Sequence, residues 1–141
     1  MKLSTKGRYG LKAMIDLAVH NNEGVVALKS IAERQGLSEN YLEQLFAALK
    51  KAKLVKSVRG SQGGYSLGNQ PENITVGDIL RTLEGNTYPT ECVSYNFENV
   101  GCDNFDKCVT RGVWEKIREG INNVIDNITL RDLVEDYQKH Q

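Results

Sequence analysis

A mostly α-helical fold carrying one small β wing is predicted for this chain, on three observations. Apolar residues recur at helical spacing through the first fifty positions. The period then changes to that of two short strands flanking a glycine-rich turn, and a long helical stripe returns after residue 108. Two helices joined by a tight turn precede the hairpin, which is the pattern of a winged helix-turn-helix followed by a long C-terminal helix suited to dimerisation.

Each element has its own signal. Leu11, Met14, Ile15, Ala18 and Val19 form an amphipathic stripe, with Ser4 or Thr5 as the cap and Asn21-Asn22-Glu23-Gly24 as the stop. Leu28, Ile31 and Ala32 mark a short second helix ended by Gly36. Ser38 caps a third, whose buried stripe is Leu42, Leu45, Phe46 and Leu49. Residues 54–59 read as a strand, 60–64 as a flexible turn and 65–67 as the return strand. Thr75–Leu83 suggests another short helix, stopped by Gly85. Residues 86–107 lose periodicity and hold turn formers. Trp114, Ile117, Ile121, Val124 and Ile128 then recur at alternating three- and four-residue steps, the seam of a helix that packs on a partner helix. Thr129 with Asp132 reads as a capping box opening a last helix, Leu130–Lys139. The expected organisation is a winged helix-turn-helix domain over 1–85, a cysteine-bearing loop over 86–108, and dimerisation and C-terminal helices over 109–141.

Charge separates the two halves. Residues 1–68 hold 11 Lys/Arg against 5 Asp/Glu, a net of +6, and residues 69–141 hold 7 against 13, a net of −6. A basic half joined to an acidic half suits contact with double-stranded DNA by one part only. No signal peptide and no membrane-length apolar run are evident, so a cytoplasmic protein without membrane contact is expected. No histidine neighbours a cysteine in sequence, and neither a glycine-rich phosphate loop nor paired carboxylates occur, so an enzyme is not expected.

In a helix-turn-helix the second helix enters the major groove and its first residues meet base edges. Here these are Ser38, Asn40, Tyr41, Glu43 and Gln44, which lie off the apolar stripe. Asn and Gln pair with adenine, Glu accepts from cytosine, and Ser suits either. A carboxylate near phosphates is unfavourable, so Glu43 makes sense as a residue that reads a base or excludes wrong ones. In the wing, Ser57, Arg59 and Gly60 are candidates, with Arg59 able to reach a narrow minor groove. Lys6, Arg8, Lys50, Lys51, Lys53 and Lys56 are placed to hold phosphates.

Cys92, Cys102 and Cys108 follow a C-x9-C-x5-C pattern. The odd count disfavours a structural disulfide set, and no close C-x2-4-C pair points to zinc. Soft thiolates on a polar loop suit an iron–sulfur cluster, of two-iron or four-iron type; from spacing alone, incidental thiols stand equally.

Three segments carry a family resemblance: Lys2-Leu3-Ser4-Thr5-Lys6-Gly7-Arg8-Tyr9, Leu37 to Leu45, and Val58-Arg59-Gly60-Ser61-Gln62-Gly63-Gly64-Tyr65. They resemble the IscR, CymR and NsrR group of bacterial winged-helix regulators, and the likeness continues through Trp114 and Asn127-Ile128-Thr129-Leu130. The resemblance implies a homodimer on a pseudo-palindromic operator, with the long helix at the dimer interface. IscR-like members hold a cluster through three cysteines in this region and CymR-like members lack them, so the resemblance assigns Cys92, Cys102 and Cys108 as metal ligands. The gap before the second cysteine is longer here than in IscR-like chains. Arg111 stands where those chains place a histidine, which leaves the fourth ligand open among Glu98, Asp103, Asp106, a small thiol, the partner chain and, less suitably, Arg111. Arg8 occupies the place of the NsrR-like acidic residue, which weakens a nitric-oxide-sensing role. The expected function is an IscR-like regulator of iron–sulfur or sulfur metabolism genes. The alternative is a CymR-like repressor of cysteine metabolism, or a thiol redox or nitric oxide sensor without a stable cluster.

Overall fold

The computed structural model describes residues 2–94 and 105–141. Six helices and a two-stranded antiparallel sheet follow in the order α1 (Thr5–His20), α2 (Leu28–Gln35), α3 (Glu39–Lys51), β1 (Val55–Val58), β2 (Gly64–Leu67), α4 (Val76–Glu84), α5 (Val109–Asp126) and α6 (Leu130–Lys139). Short 3-10 turns occur at Asn21–Glu23, Pro71–Asn73, Glu91–Val93 and Phe105–Lys107. No helix among the described residues is long and apolar enough to cross a membrane.

Capping chemistry fixes the helix ends. Ser38 Oγ accepts from the Tyr41 N–H at 3.1 Å, and both Thr75–Asp78 and Thr129–Asp132 close reciprocal capping boxes. Gly36 ends α2 at φ 66°, a left-handed conformation that costs a side chain energy, and so turns the chain sharply into α3. Ser4 caps α1 and also donates from its N–H and its hydroxyl to the Glu84 carboxylate, both at 2.9 Å. Gly7 and Gly10 lie where a Cβ would overlap Glu84 and Leu83, so the first turns of α1 lie directly on α4.

The larger of two hydrophobic clusters joins α1 through α4, the wing and the start of α6. Met14, Leu17, Ile31, Leu42, Phe46, Leu49, Ile74 and Ile79 are fully buried, as is Leu130, the first residue of α6. The C-terminal helix is therefore docked on the winged-helix core. Backbone bonds secure it, from Val76 N–H to the Ile128 carbonyl at 2.8 Å and from Leu130 N–H to the Ile74 carbonyl at 2.9 Å.

The wing differs from expectation by one residue. Gly64 pairs with Val58 and begins β2, so the turn occupies 59–63. A third chain segment also joins it: Val26 and Tyr65 exchange two backbone bonds of 2.8 Å. A lone extended residue before α2 has no periodicity, so nothing in the sequence announced this bridge.

The expected seam of α5 divides between two faces. Ile121 and Ile128 pack within the chain against Val76, Leu80 and Ile125, and Ile125, outside the expected stripe, is the buried residue of α5. Val124, by contrast, is 59% exposed and Val113 49%. The cause is α4, whose apolar face takes one side of α5. Arg81 reinforces the crossing with bonds of 2.7 and 2.8 Å to the Asp126 carboxylate and one of 3.0 Å to Asn122.

Candidate nucleic-acid interface and cysteine site

The outer face of α3 presents Asn40, Glu43 and Gln44, all exposed, with Ala47, Lys50 and Lys51 continuing toward its C-terminus. The buried stripe Leu42, Leu45, Phe46 and Leu49 holds the opposite face in the core and so fixes this direction. Ser38 is exposed, and its capping bond leaves the hydroxyl free to donate outward. Tyr41 departs from the outward placement expected of it. It is half-buried against the core, stands edge-on to Tyr9 at 6.4 Å, and its hydroxyl is buried with no hydrogen-bond partner among the described residues. The physical reason is that Tyr9 of α1 packs against the start of α3, where a large ring fills space that a sequence stripe does not register.

Tyr9 also carries cations. The Arg8 guanidinium and the Lys12 ammonium each lie 5.8 Å from its ring centre, which keeps two positive charges beside the N-terminal end of α3. In the wing, Arg59 and Gly60 are exposed, and Gly60 accepts from the Gly63 N–H at 3.0 Å, which closes the turn. Arg59 makes no side-chain hydrogen bond or ion pair among the described residues. Ser57 is half-buried beside a notch of about 510 Å³ that Lys50, Lys53 and Lys56 also line. Lys53 takes φ 64° to end α3, a position usually given to glycine, and this brings its side chain to the notch.

Two of the three cysteines fall within the described residues; Cys102, Glu98 and Asp103 lie outside them. Cys92 sits half-buried on the Glu91–Val93 turn, with Thr90 Oγ1 at 3.0 Å from its sulfur. Cys108 is the N-cap of α5, half-buried, with Thr110 Oγ1 at 3.2 Å. Neither is in a disulfide. Donation by the Thr110 hydroxyl, then by the Arg111 backbone N–H, with the Arg111 charge adding to them, holds the Cys108 thiol below its ordinary pKa. Arg111 itself is ion-paired to Glu115 at 3.1 Å, while Asp106 is exposed just before Cys108. Arg118 ties the two parts together: its guanidinium donates to the Val93 carbonyl at 2.9 Å, linking the Cys92 turn to α5. No group of three or more potential metal-binding side chains assembles among the described residues.

A recognition helix with an exposed polar face, a glycine-turned wing with a free arginine, and a basic N-terminal half define a winged-helix DNA-binding protein. The chain belongs to the Rrf2 family, whose model, described as an iron-dependent transcriptional regulator, matches residues 3–136. It is 48% identical over 133 residues to the HTH-type transcriptional regulator CymR of Bacillus subtilis, covering 94% of this chain and 89% of that one. The solved structure of that protein, described as the global cysteine regulator, superposes with a TM-score of 0.78, covering 96% of this chain and 97% of the other. The T. potens IscR structure gives a TM-score of 0.78 at 53% identity, covering 100% of this chain and 91% of the other. The IscR regulator of Serratia proteamaculans is 44% identical, covering 95% of this chain and 79% of its own length. The chain is thus a DNA-binding transcription regulator of this family, and not an enzyme.

Proposed function

We propose that this regulator is a homodimer that senses iron–sulfur cluster status through Cys92, Cys102 and Cys108 and controls iron–sulfur or sulfur metabolism genes. The observation that carries the reading is the placement of the two described sulfurs. One sits at the cap of α5 and the other on a turn that Arg118 ties to the same helix. The donor chemistry fits a cluster: the two described sulfurs are soft ligands, free of disulfides and partly exposed, with Cys108 held toward its anionic form. Arg111, paired to Glu115, is a poor fourth ligand, so the reading assigns that place to an oxygen of Glu98, Asp103 or Asp106, to a small thiol, or to the partner chain.

The division of labour follows the chain. Residues 1–85 bind DNA, 86–108 hold the cluster, and 109–141 join two copies. Asn40, Glu43 and Gln44, with Ser38 donating, read bases in the major groove, and Tyr41 supports the start of α3 from within. Arg59, with Gly60 beside it, enters the minor groove, while Ser57 and the lysines around it hold phosphate. When bound, the cluster supplies a change of charge and tethering that depends on its assembly and oxidation. Arg118 passes movement of the Cys92 turn to α5, and Arg81 passes it from α5 to α4 and the winged core. DNA affinity changes only if the two arrangements of these residues bind the operator differently.

The deciding experiment combines anaerobic reconstitution, an absorption spectrum with iron and sulfide analysis, and footprinting on genomic DNA with and without cluster. A footprint that changes with cluster content supports the reading; a protein that takes up no iron or sulfide refutes it. The lowered Cys108 thiol and the identity to CymR favour a second reading, a thiol-based repressor of cysteine metabolism. In that case mild oxidant alters DNA binding of the metal-free protein, and Cys108→Ala abolishes the response.

A further inference from the structure

Both described cysteine sulfurs have a threonine hydroxyl beside them. Thr90 precedes Cys92 by two residues and its Oγ1 lies 3.0 Å from the sulfur. Thr110 follows Cys108 by two residues and its Oγ1 lies 3.2 Å from the sulfur. The two arrangements come from different elements, one from the strand-like approach to a 3-10 turn and one from the first turn of α5. Thr110 is the second residue of its helix, and its hydroxyl makes no hydrogen bond to a backbone carbonyl among the described residues. Between a thiol and a hydroxyl either atom can give the proton. A sulfur that ligates iron has lost its proton, and only the hydroxyl can then donate.

We propose that Thr90 and Thr110 are positioning residues of the cluster site, donating O–H···S hydrogen bonds to Cys92 and Cys108 that raise its reduction potential. This rests on the cluster reading given above. Reduction adds an electron whose charge is shared with the ligating sulfurs, and a donor aimed at a sulfur stabilises the more negative state. The same bonds orient the two cysteine side chains before iron arrives, because each hydroxyl and its sulfur are already within hydrogen-bond distance. Neither role requires a side chain from the partner subunit.

The test uses the full chain, reconstituted anaerobically with ferrous iron and sulfide, and reads the midpoint potential in an absorbance-monitored redox titration. Thr90→Val and Thr110→Val keep the side-chain shape and remove the donor; each is expected to shift the potential downward, with the double variant shifted further. Thr90→Ser and Thr110→Ser restore the donor and are expected to return the potential to the wild-type value at unchanged iron content. Fully loaded valine variants with wild-type potentials overturn the inference, as do serine variants as low as their valine counterparts. Should a valine variant take up no iron, the reduced wild-type cluster decides: deuterium-exchangeable proton couplings near its sulfurs are expected, and their absence overturns the inference. A wild-type chain that takes up no iron and sulfide overturns the cluster reading and this inference with it.

Discussion

Asp16 is placed where a carboxylate needs partners, with only 3% of its side chain exposed. Arg34 supplies three bonds of 2.7–3.1 Å from its Nε and Nη2, and Gln35 adds one of 2.9 Å. This pair fixes α1 to α2, which in turn sets the approach to α3. Truncating Arg34 leaves a buried charge with the Gln35 amide as its chief remaining donor. Arg34→Ala is therefore expected to cost about 2 kcal/mol of stability, read as a lowered urea midpoint with an unchanged slope. A loss below about 0.5 kcal/mol, the scale of an exposed ion pair, would show that solvent already screens the pair. At Cys108 the prediction concerns pH. Its thiol is held below the ordinary range, so in metal-free protein it is deprotonated, and alkylated by iodoacetamide, at lower pH than a cysteine of the unfolded chain. As pH falls through the lowered pKa the rate is lost. Thr110→Val, which removes the largest cause of the shift, moves that loss to higher pH. Peptide-level mass spectrometry separates Cys108 from Cys92, and superimposable pH profiles for native and unfolded protein would contradict the shift.

At the scale of elements, the proposed function divides recognition between α3 and the wing. Glu43→Ala removes the exposed carboxylate that the proposed function assigns to base reading, so it is expected to relax sequence preference, by about 1–3 kcal/mol at one position. Its non-specific affinity holds or rises. Arg59→Ala is expected to weaken operator binding while the unfolding midpoint stays at the wild-type value, because the exposed Arg59 side chain makes no hydrogen bond or ion pair among the described residues. Titration of labelled operator and of scrambled DNA measures both effects. Helix 5 has a different duty. Arg118→Ala removes the hydrogen bond that joins the Cys92 turn to α5, so under the proposed coupling DNA affinity is expected to depend less on cluster content while cluster uptake persists; a fully retained response places the coupling elsewhere. The helices and most of their ends were legible in the sequence because their signals are local: Ser38 and Thr129 as caps, Gly36 and Gly85 as stops, Leu42, Leu45, Phe46 and Leu49 as a stripe. What was not legible joins residues far apart. The Val26–Tyr65 bridge, the Asp16–Arg34 pair and the turning inward of Tyr41 depend on which segments meet, and no period or cap encodes that.

For the whole molecule the question is what covers the outer face of α5. Val109, Val113 and Val124 are exposed there, and Gly120, on the same face, has no neighbouring atom that an added Cβ would meet. The inner face is already taken by α4 through Ile121 and Ile125. An outward apolar stripe on a helix flanked by charged residues suits a self-complementary contact, in which a second copy presents the same stripe about a two-fold axis. Lysine at Val113 or Val124 places a desolvated charge in that contact and leaves the monomer core untouched. Val113→Lys and Val124→Lys are each expected to raise the dimer dissociation constant on the order of tenfold or more, read by sedimentation velocity across a dilution series. The consequence for DNA follows from linkage. A dimer engages two half-sites at once, and a monomer loses the effective concentration that the second module supplies. The lysine variants should therefore lose affinity for a two-half-site operator far more than for a single half-site. The slope of log affinity against log salt should also fall, by about 0.9 for each phosphate contact given up. A variant that becomes monomeric yet keeps the wild-type salt slope on the full operator would show that the two winged domains bind without the α5 contact, and the second copy would then have to be sought on another face.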